Sequence, residues 1–334
     1  MLTKKQNLRE TIHGGNPDRL VNQFEYVSLF FDPATMAAMG TPVRGGAWNN
    51  GWGVRIEFPE HVPGMFPNTS PEYVVIKDIE NWQKYVHAPK TEFTDEEWAP
   101  FLAPLKDIDR NEVFVAPFVA PGIFEKLHYL MGMEDCMMAM YEEPEAMHDL
   151  VDFIVEAEVD YAKTIMTKVP EINALLHHDD WGSAKNSFLS PDMFDEFIVP
   201  GYKKIYSTWK ELGCQLIVHH NDSYTANLVP EMIEMGIDIW QGCFPQNNLP
   251  ELCKQYAGQI TFMGEIESRL IDLPDVTDEQ IKAEVDRACR KCKGNNFIPC
   301  LTAGVPLSSF PGVMEKVSAE IDVMSKELFG FEGK

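Results

Sequence analysis

LIVHHNDSY, residues 216–224, is an apolar run that leads directly into two histidines, an asparagine and an aspartate. A second run of the same kind, LLHHDDWGS, covers residues 175–183. The apolar letters predict a buried strand in each case, and the polar letters predict the loop that follows it. Polar side chains at the carboxyl ends of strands are typical of the active site of a barrel of parallel strands.

Strand-like runs alternate with helical periodicity along the rest of the chain, which implies parallel pairing. A doubly wound sheet and a closed (β/α)8 barrel both fit this alternation. Neither G-x-G-x-x-G nor G-x-x-x-x-G-K-[ST] occurs, so the nucleotide-binding doubly wound fold is disfavoured and a (β/α)8 TIM barrel is predicted. The predicted strands are 24–29, 113–119, 172–178, 215–220, 237–241, 260–264 and 296–301, and the predicted helices include 145–168, 278–292 and 312–329.

The segment 40–70 differs from its surroundings, because it is rich in Gly, Pro and Trp and has no period. We interpret it as a long irregular segment with one hairpin, folded over one end of the main body, and such long structured loops are usually functional. No internal repeat or linker is visible. The prediction is one domain over 1–334, with an N-terminal extension and covering loops in 1–90 and most of the barrel in 91–334.

Charge and composition exclude several classes of function. The chain has 28 Lys and Arg against 52 Asp and Glu, a net charge of −24, so nucleic acid and anionic membranes would repel it. No apolar run is long enough to span a bilayer, and the charged start MLTKK does not fit a secretory signal, which predicts a soluble, cytoplasmic protein. Seven scattered cysteines predict reduced thiols rather than a disulfide framework.

The polar strand ends supply the candidate chemistry. Alternation sends His220 and Asp222 to the same side of their strand, where the pair offers the nitrogen and oxygen ligands that zinc accepts. The alternative is that these residues only cap the strand and start the next helix. The four ionisable residues 177–180 would shift one another's pKa values, which suits acid–base work, or they would cap a helix.

Single residues elsewhere leave the same kind of choice open. Glu265 follows the apolar strand ITFMG, where an inward-facing acid is costly unless it is used. Cys300 ends another strand and is either a ligand or a buried core thiol. An aromatic set in the first 60 residues either lines an apolar pocket or belongs to the core, and consists of Tyr26, Trp48, Trp52 and Phe58.

The chain resembles the uroporphyrinogen decarboxylase superfamily, which also contains the methyltransferases of corrinoid-dependent systems. The resemblance implies a (β/α)8 barrel with an N-terminal helical and looped extension. The matching stretches extend nearly from end to end of the chain: GNPDR at 15–19, LMGME at 130–134, HDDWGS at 178–183, the segment 189–205, VHHND at 218–222 and FMGEI at 262–266.

The differences between this sequence and other members of the family indicate to which branch it is most similar. True decarboxylases carry an R-Q-A-G-R stretch whose arginines hold substrate carboxylates, whereas residues 23–31 here read QFEYVSLFF. Zinc methyltransferases of the family that serve thiols bind zinc through H-x-C and a distant Cys. Alignment with them places His220 on the histidine but Asp222 and Ala303 on the two cysteines. Residues 50–67 resemble the branch that removes methyl groups from aryl methyl ethers.

The resemblance therefore implies a methyltransferase of the O-demethylase type. It would move a methyl group from a small methoxylated donor to the cobalt of a corrinoid carried by a separate partner protein, since no D-x-H-x-x-G corrinoid motif occurs here. The family also implies a homodimer. The alternatives are a metal-free decarboxylase of a small carboxylic acid and a non-catalytic small-molecule binder.

This hypothesis assigns roles to thirteen residues. Zinc is expected on His220, with Asp222, Glu265 and Cys300 as the further candidate ligands. Proton donors to the leaving phenolate are expected among His178, Asp180 and Tyr224. The predicted substrate-binding residues are Glu25, Tyr26, Trp48, Trp52, His219 and Gln241.

Overall fold

A computed structural model describes residues 1–61, 64–292 and 296–330. Within these ranges the strands are β1 (Val27–Phe30), β2 (Gly46–Asn49), β3 (Arg55–Phe58), β4 (Phe66–Pro67), β5 (Phe114–Val119), β6 (Ala174–His178), β7 (Leu216–His220), β8 (Ile239–Cys243), β9 (Thr261–Ile266) and β10 (Phe297–Leu301). The helices are α1 (Lys4–Ile12), α2 (Pro33–Met39), α3 (Asp95–Leu102), α4 (Ile123–Met131), α5 (Met133–Glu142), α6 (Pro144–Lys168), α7 (Pro191–Phe197), α8 (Val199–Glu211), α9 (Val229–Met235), α10 (Leu249–Gln255), α11 (Ser268–Ile271), α12 (Asp278–Lys291) and α13 (Val313–Phe329).

The main sheet contains seven parallel strands in the spatial order β1, β5, β6, β7, β8, β9 and β10. It curls so that its two edges approach each other at Gln23, which precedes β1. The Gln23 backbone N–H donates to the Pro299 carbonyl at 3.2 Å, and its side-chain oxygen accepts from the Leu301 N–H at 3.3 Å. The predicted barrel architecture is therefore confirmed as a TIM-barrel-like fold. The assignment of the whole chain to one domain stays a prediction.

Every predicted strand is present, with shifted ends. The first begins at Val27 rather than at residue 24, because Glu25 and Val27 donate to the carbonyls of Asn22 and Phe24 and so form turns. The fifth and sixth predicted strands run two residues further than expected, to Cys243 and Ile266. Between the strands lie helices that pack an apolar face on the outside of the sheet.

The interior of the barrel is an apolar core, and strand alternation relates the histidines to it. Leu176 and Val218 are buried inside the barrel together with Met263 and Ile298. Since side chains alternate along a strand, residues two positions further on face the same way. His178 and His220 therefore continue the interior face at its carboxyl end, whereas their neighbours point to the surrounding helices.

A small antiparallel sheet of β2, β3 and β4 covers the segment in which one hairpin is predicted. It is tied to α2, since the Trp48 ring N–H donates to the Met39 carbonyl at 2.9 Å. Gly40 makes this contact possible: it has a φ of 75°, and a Cβ there would lie 2.6 Å from the Trp48 ring. The hairpin is thus fixed beside the barrel.

Two further expectations concern the whole chain. All seven cysteines are free thiols. Among the helices of the described ranges, none combines the length and the apolar character that crossing a membrane requires.

A buried ion cluster joins α4, α6 and β6. The Lys126 ammonium donates to Glu158 Oε1 at 2.5 Å, and His177 Nε2 lies 2.9 Å from Glu158 Oε2. Burial alone would raise the pKa of Glu158, but the charges of Lys126 and His177 outweigh it and lower the pKa to about 2. The carboxylate is therefore ionised throughout the range in which the protein would be handled.

Protonation of Glu158 in acid is expected to lower the free energy of unfolding. The ordinary pKa of this carboxyl is 4.5, so its contribution to stability is complete above that pH and is lost as the pH falls toward 2. The shift corresponds to on the order of 3 kcal/mol. In urea unfolding between pH 7 and pH 3, the difference in the free energy of unfolding between the wild type and Glu158→Gln should become smaller as the pH falls. A gap that is constant with pH would contradict this account, and the exposed Glu156→Gln on the same helix is the control.

Candidate active site

Three side chains meet at the carboxyl ends of β6 and β7. His178 and His220 are register partners on these strands, and Asp180 follows in the loop after β6. One ligand atom from each of the three lies within 4.8 Å of the others, and Asp180 Oδ1 is 3.9 Å from His220 Nε2. Gly304 borders this cluster, because a Cβ there would lie 3.0 Å from His220 Nε2. Two imidazoles and a carboxylate are a donor set that catalytic zinc sites use.

Gln241 fixes the orientation of His220. Its amide nitrogen donates to the carbonyls of Leu301 (3.3 Å) and Ala303 (2.9 Å), so its oxygen must face His220 Nδ1, 2.5 Å away. Nδ1 therefore carries the hydrogen, and the Nε2 lone pair points to the cluster. Burial lowers the pKa of His220 to about 4, and the nearby His178 adds to this effect. The ring is thus a neutral ligand at neutral pH.

Replacing Gln241 with leucine should weaken a metal bound by His220. The variant keeps a similar volume but removes the acceptor that selects the Nδ1–H tautomer, and the loss of such a partner typically costs 10- to 100-fold in metal affinity. Competition with a fluorescent zinc chelator measures the change. An affinity equal to that of the wild type would show that Gln241 does not set the tautomer. Gln246→Leu, in the loop after β8, is the matched control.

Glu125 orients the second histidine. This residue lies in the first turn of α4, and its Oε2 accepts from His178 Nδ1 at 2.9 Å, while Oε1 accepts from the Tyr129 hydroxyl at 2.8 Å. Burial alone would lower the pKa of His178, but the charges of Glu125 and Asp180 outweigh it and raise the pKa to about 10. Glu125 was not predicted from the sequence. The only signal for it is an acid in the first turn of the helix that follows β5.

Asp179 holds the start of α4 in place. Its buried carboxylate accepts from the backbone N–H groups of Phe124 (2.9 Å) and Glu125 (2.8 Å), from the Trp181 ring N–H (2.9 Å) and from the Tyr202 hydroxyl (2.6 Å). Burial and the charge of Glu125 raise its pKa to about 7. Asp179, in the loop after β6, thus caps the start of α4. By fixing the backbone of Glu125 it also helps to position His178.

An apolar cavity of about 210 Å³ opens beside the cluster. His178 and Glu125 form its polar end, and the side chains of the small sheet and of β5 form its walls. Among the residues described as lining it, none is an arginine or a lysine. The main wall residues are Trp48, Ile56, Met65, Phe66, Phe118 and Tyr129.

The structure does not bring Glu265 to the cluster. The backbone at Gly264 has a φ of 152° and that at Glu265 a φ of 68°, which breaks the strand alternation. The carboxylate is turned toward α12, where it accepts from Arg287 and Lys291, each at 2.7 Å. The carboxylate that joins His178 and His220 in the cluster is that of Asp180 instead.

Asp222 lies near the cluster but outside the set of three. β7 ends at His220, so alternation no longer directs the side chain two residues later. The Asp222 backbone N–H donates to Asp180 Oδ1 at 2.8 Å, and burial together with the charge of Asp180 raises the pKa of its carboxyl to about 8. Tyr224 follows in the same loop, half-buried, with its backbone N–H bonded to the Ser183 carbonyl at 2.8 Å.

The remaining predicted site residues are distributed over four places. Cys300 and Tyr26 are buried in the barrel core, where the tyrosine hydroxyl contacts the Met263 sulfur at 3.3 Å. Glu25 precedes β1, at the opposite end of the barrel, and accepts from the Asn22 N–H. His219 faces the outer helices, where it bonds the Tyr206 hydroxyl at 2.6 Å. Trp52 is buried beside the small sheet.

Comparison with known proteins places this geometry in a family context. A model of the family described as uroporphyrinogen decarboxylase (URO-D) matches residues 50–322. A uroporphyrinogen decarboxylase from Prochlorococcus marinus (strain MIT 9515) is 25% identical over 246 residues, which are 72% of this chain and 66% of that protein. A methylated-thiol–coenzyme M methyltransferase from Methanosarcina mazei is 28% identical over 173 residues, 51% of this chain and 41% of that protein.

One solved structure matches nearly the whole chain. A methyltransferase from Methanosarcina mazei superposes with a TM-score of 0.65 at 14% identity, covering 97% of this chain and 99% of that one. This similarity shows the fold. The chain spans less than two thirds of the length of the curated relatives named above.

Proposed function

This chain belongs to the uroporphyrinogen decarboxylase family, and from that premise we propose that it is a methyltransferase that demethylates a small aryl methyl ether. The family includes enzymes that act as methyltransferases, one of which is a relative of this chain. The acceptor in this proposal is the reduced corrinoid of a separate protein, which reaches the methyl carbon from the open carboxyl end of the barrel. The net charge of −24 favours a partner with a basic face.

The observation that carries the proposal is that His178, which meets Asp180 and His220 in the cluster, also forms the polar end of an apolar cavity. The cavity offers aromatic and aliphatic contacts to a planar ring and, in its described lining, no cationic side chain for a polycarboxylate. A uroporphyrinogen, which carries many carboxylates, is therefore a poor match, whereas a neutral methoxylated ring is a good one.

The three residues fit a zinc ion. Gln241 holds Nδ1 of His220 and Glu125 holds Nδ1 of His178, so each ring turns its other nitrogen to the cluster, where Asp180 Oδ1 also accepts from the Asp222 N–H. Because the pKa of His178 is raised to about 10, zinc would displace a proton from this ring on binding. A zinc ion with nitrogen and oxygen ligands is a hard Lewis acid that polarises an ether oxygen and makes the phenolate a better leaving group.

The protein's own side chains orient the reaction. Gln241 and Glu125 fix the two imidazoles, and Trp48 and Phe118 line the cavity beside His178, so a methoxylated ring bound there would have its ether oxygen near the cluster. Of the three proton donors proposed, His178 and Asp180 are now assigned to the metal. We therefore assign proton donation to the leaving phenolate to Tyr224, whose replacement by Phe would cost about 10²-fold or more in turnover.

A decarboxylase remains the second candidate, and one observation favours it. A cationic His178, held by Glu125, would pair with the carboxylate of a small acid in the same cavity. The two functions differ in products and in metal dependence, which makes them easy to separate.

The experiment that tests the proposal uses the full chain loaded with zinc, chemically reduced cob(I)alamin and methoxybenzene. We expect methylcob(III)alamin and phenol in equal amounts, and no product after the metal is removed with a chelator. Carbon dioxide release from a small carboxylic acid by the metal-free protein, without methyl transfer, would overturn the methyltransferase and favour the decarboxylase. Neither product would indicate a non-catalytic binder.

A further inference from the structure

A second, smaller cavity of about 60 Å³ lies next to the first. Most of its lining is apolar, but two lysines, two threonines, a glutamate and a tyrosine also line it. A cavity needs roughly 10–15 Å³ to hold one water, so this one has room for a group of about four non-hydrogen atoms. The residues on which the argument depends are Trp52, Phe118, Ala120, Lys126, Ala157 and Glu158.

The Lys126 ammonium is the unusual feature of this cavity. It is only 5% exposed, and its one hydrogen bond among the described residues goes to Glu158, at 2.5 Å. The nitrogen also lies 5.7 Å from the centre of the Trp52 ring. An ammonium has three N–H donors, and a buried donor without an acceptor costs free energy. A group bound in the cavity would therefore be in a position to supply Lys126 with a further acceptor.

The charge of the cavity restricts what that acceptor can be. Glu158 is buried beside Lys126 and forms an ion pair with it, so these two charges cancel. The other Glu158 oxygen faces His177, and the second lysine of the lining, Lys90, is exposed with its ammonium 3.9 Å from Glu97. A carboxylate ligand would add an uncompensated negative charge to a buried site, which is costly. A carbonyl, hydroxyl or ether oxygen would meet Lys126 without that cost. The chemistry favours a neutral oxygen acceptor on an apolar body.

The two cavities share lining residues and the first turn of α4. Phe118 and Ala120 line both of them, so the two cavities meet at these residues. Glu125 and Lys126 are consecutive in the first turn of α4, and the first faces the larger cavity while the second faces the smaller. One helix start thus supplies the polar end of each cavity.

We propose that the smaller cavity is a specificity compartment that binds a neutral oxygen substituent at the end of the methyl donor remote from its methoxy group, with Lys126 as the hydrogen-bond donor. This inference rests on the proposed function only in identifying the ligand as the methyl donor. It predicts that ring compounds with a para carbonyl or hydroxyl are preferred to those without one. The specificity comes from Lys126 and from the space beside Trp52.

Binding can be tested without turnover, by isothermal titration calorimetry. The probes are anisole, 4-methoxyacetophenone and 4-methoxybenzoate, titrated into the full chain. We expect 4-methoxyacetophenone to bind at least tenfold more tightly than anisole, and 4-methoxybenzoate to gain no such advantage. Equal affinity for the first two probes would mean that the cavity holds only water, and tightest binding of the benzoate would exclude a neutral acceptor. Either result overturns the proposal.

Variants assign the effect to the compartment. Lys126→Met combined with Glu158→Gln keeps the pair neutral, so it avoids leaving a buried charge alone, and it should bring the affinity ratio of the two neutral probes close to one. Ala157→Leu fills the cavity and should do the same without touching the ion pair. Lys163→Met, an exposed lysine on α6, is the matched control and should keep the tenfold ratio. Retention of that ratio in both cavity variants would contradict the assignment.

These measurements separate the two proposals. If 4-methoxyacetophenone binds through Lys126 but no methyl transfer to cob(I)alamin is found, the compartment stands and the proposed function fails. If methyl transfer is found with anisole and the acetyl group brings no advantage, the function stands and the compartment fails.

Discussion

Replacing His220 with alanine is expected to abolish zinc binding and to lower methyl transfer by on the order of 10³-fold or more. The carbonyls of Leu301 and Ala303 orient the Gln241 amide, and the Gln241 oxygen accepts from His220 Nδ1. This chain of hydrogen bonds leaves Nε2 of His220 as the nitrogen with a lone pair for a metal. A metal that polarises the leaving oxygen contributes several kcal/mol to the barrier, and each 1.36 kcal/mol is tenfold in rate. Metal content per chain and the rate with cob(I)alamin are measured on the same preparation.

The control for this variant is His87→Ala, since His87 is exposed and far along the chain from the strands of the cluster. Thermal unfolding must show that His220→Ala is folded, because the ring is fully buried. A folded His220→Ala protein that retains one zinc per chain would contradict the assignment. Retained methyl transfer without zinc would contradict the mechanism as well.

The largest effect on stability is expected from Asp179→Ala. The substitution leaves four donors without their acceptor, two of them backbone N–H groups at the start of α4 and two on the side chains of Trp181 and Tyr202. Each buried donor left unpaired costs about 1–3 kcal/mol, and partial relaxation reduces the sum. A loss of about 4 kcal/mol in the free energy of unfolding is therefore expected, measured by urea denaturation.

Asp152→Ala is the matched control for this prediction, because Asp152 is an exposed residue of α6 and should change stability by no more than about 0.5 kcal/mol. Zinc affinity should also fall in Asp179→Ala, since Glu125 loses its fixed backbone and His178 loses its orientation. A change below about 1 kcal/mol with unaltered zinc binding would show that Asp179 does not organise the site.

Much of the fold was predictable because buried parallel strands appear in the sequence as short apolar runs between segments with helical periodicity. The same alternation places His178 and His220 on the interior face, as the structure confirms. Alternation fails at Glu265, because the left-handed backbone at Gly264 and Glu265 turns the carboxylate outward toward Arg287. Nothing in the local sequence predicts this turn, since Gly264 alone is compatible with a regular strand.

The supporting residues of the site could not be predicted in this way. Glu125 and Asp179 are 54 positions apart and meet only because β5 and β6 are neighbours in the barrel. Asp222 was predicted to be a ligand beside His220, but β7 ends two residues before it. The carboxylate that lies with the two histidines in the cluster belongs to Asp180, in the loop after β6. Roles that depend on long-range packing require the tertiary structure.

The central claim is that His178, Asp180 and His220 hold zinc without sulfur, and zinc K-edge X-ray absorption on the purified full chain tests it most directly. The account predicts about one zinc per chain, a first shell of nitrogen and oxygen at about 2.0–2.2 Å, and outer-shell scattering from two imidazoles. In His220→Ala this signal should be absent. A sulfur neighbour at about 2.3 Å, or a protein that binds no zinc at all, would contradict it.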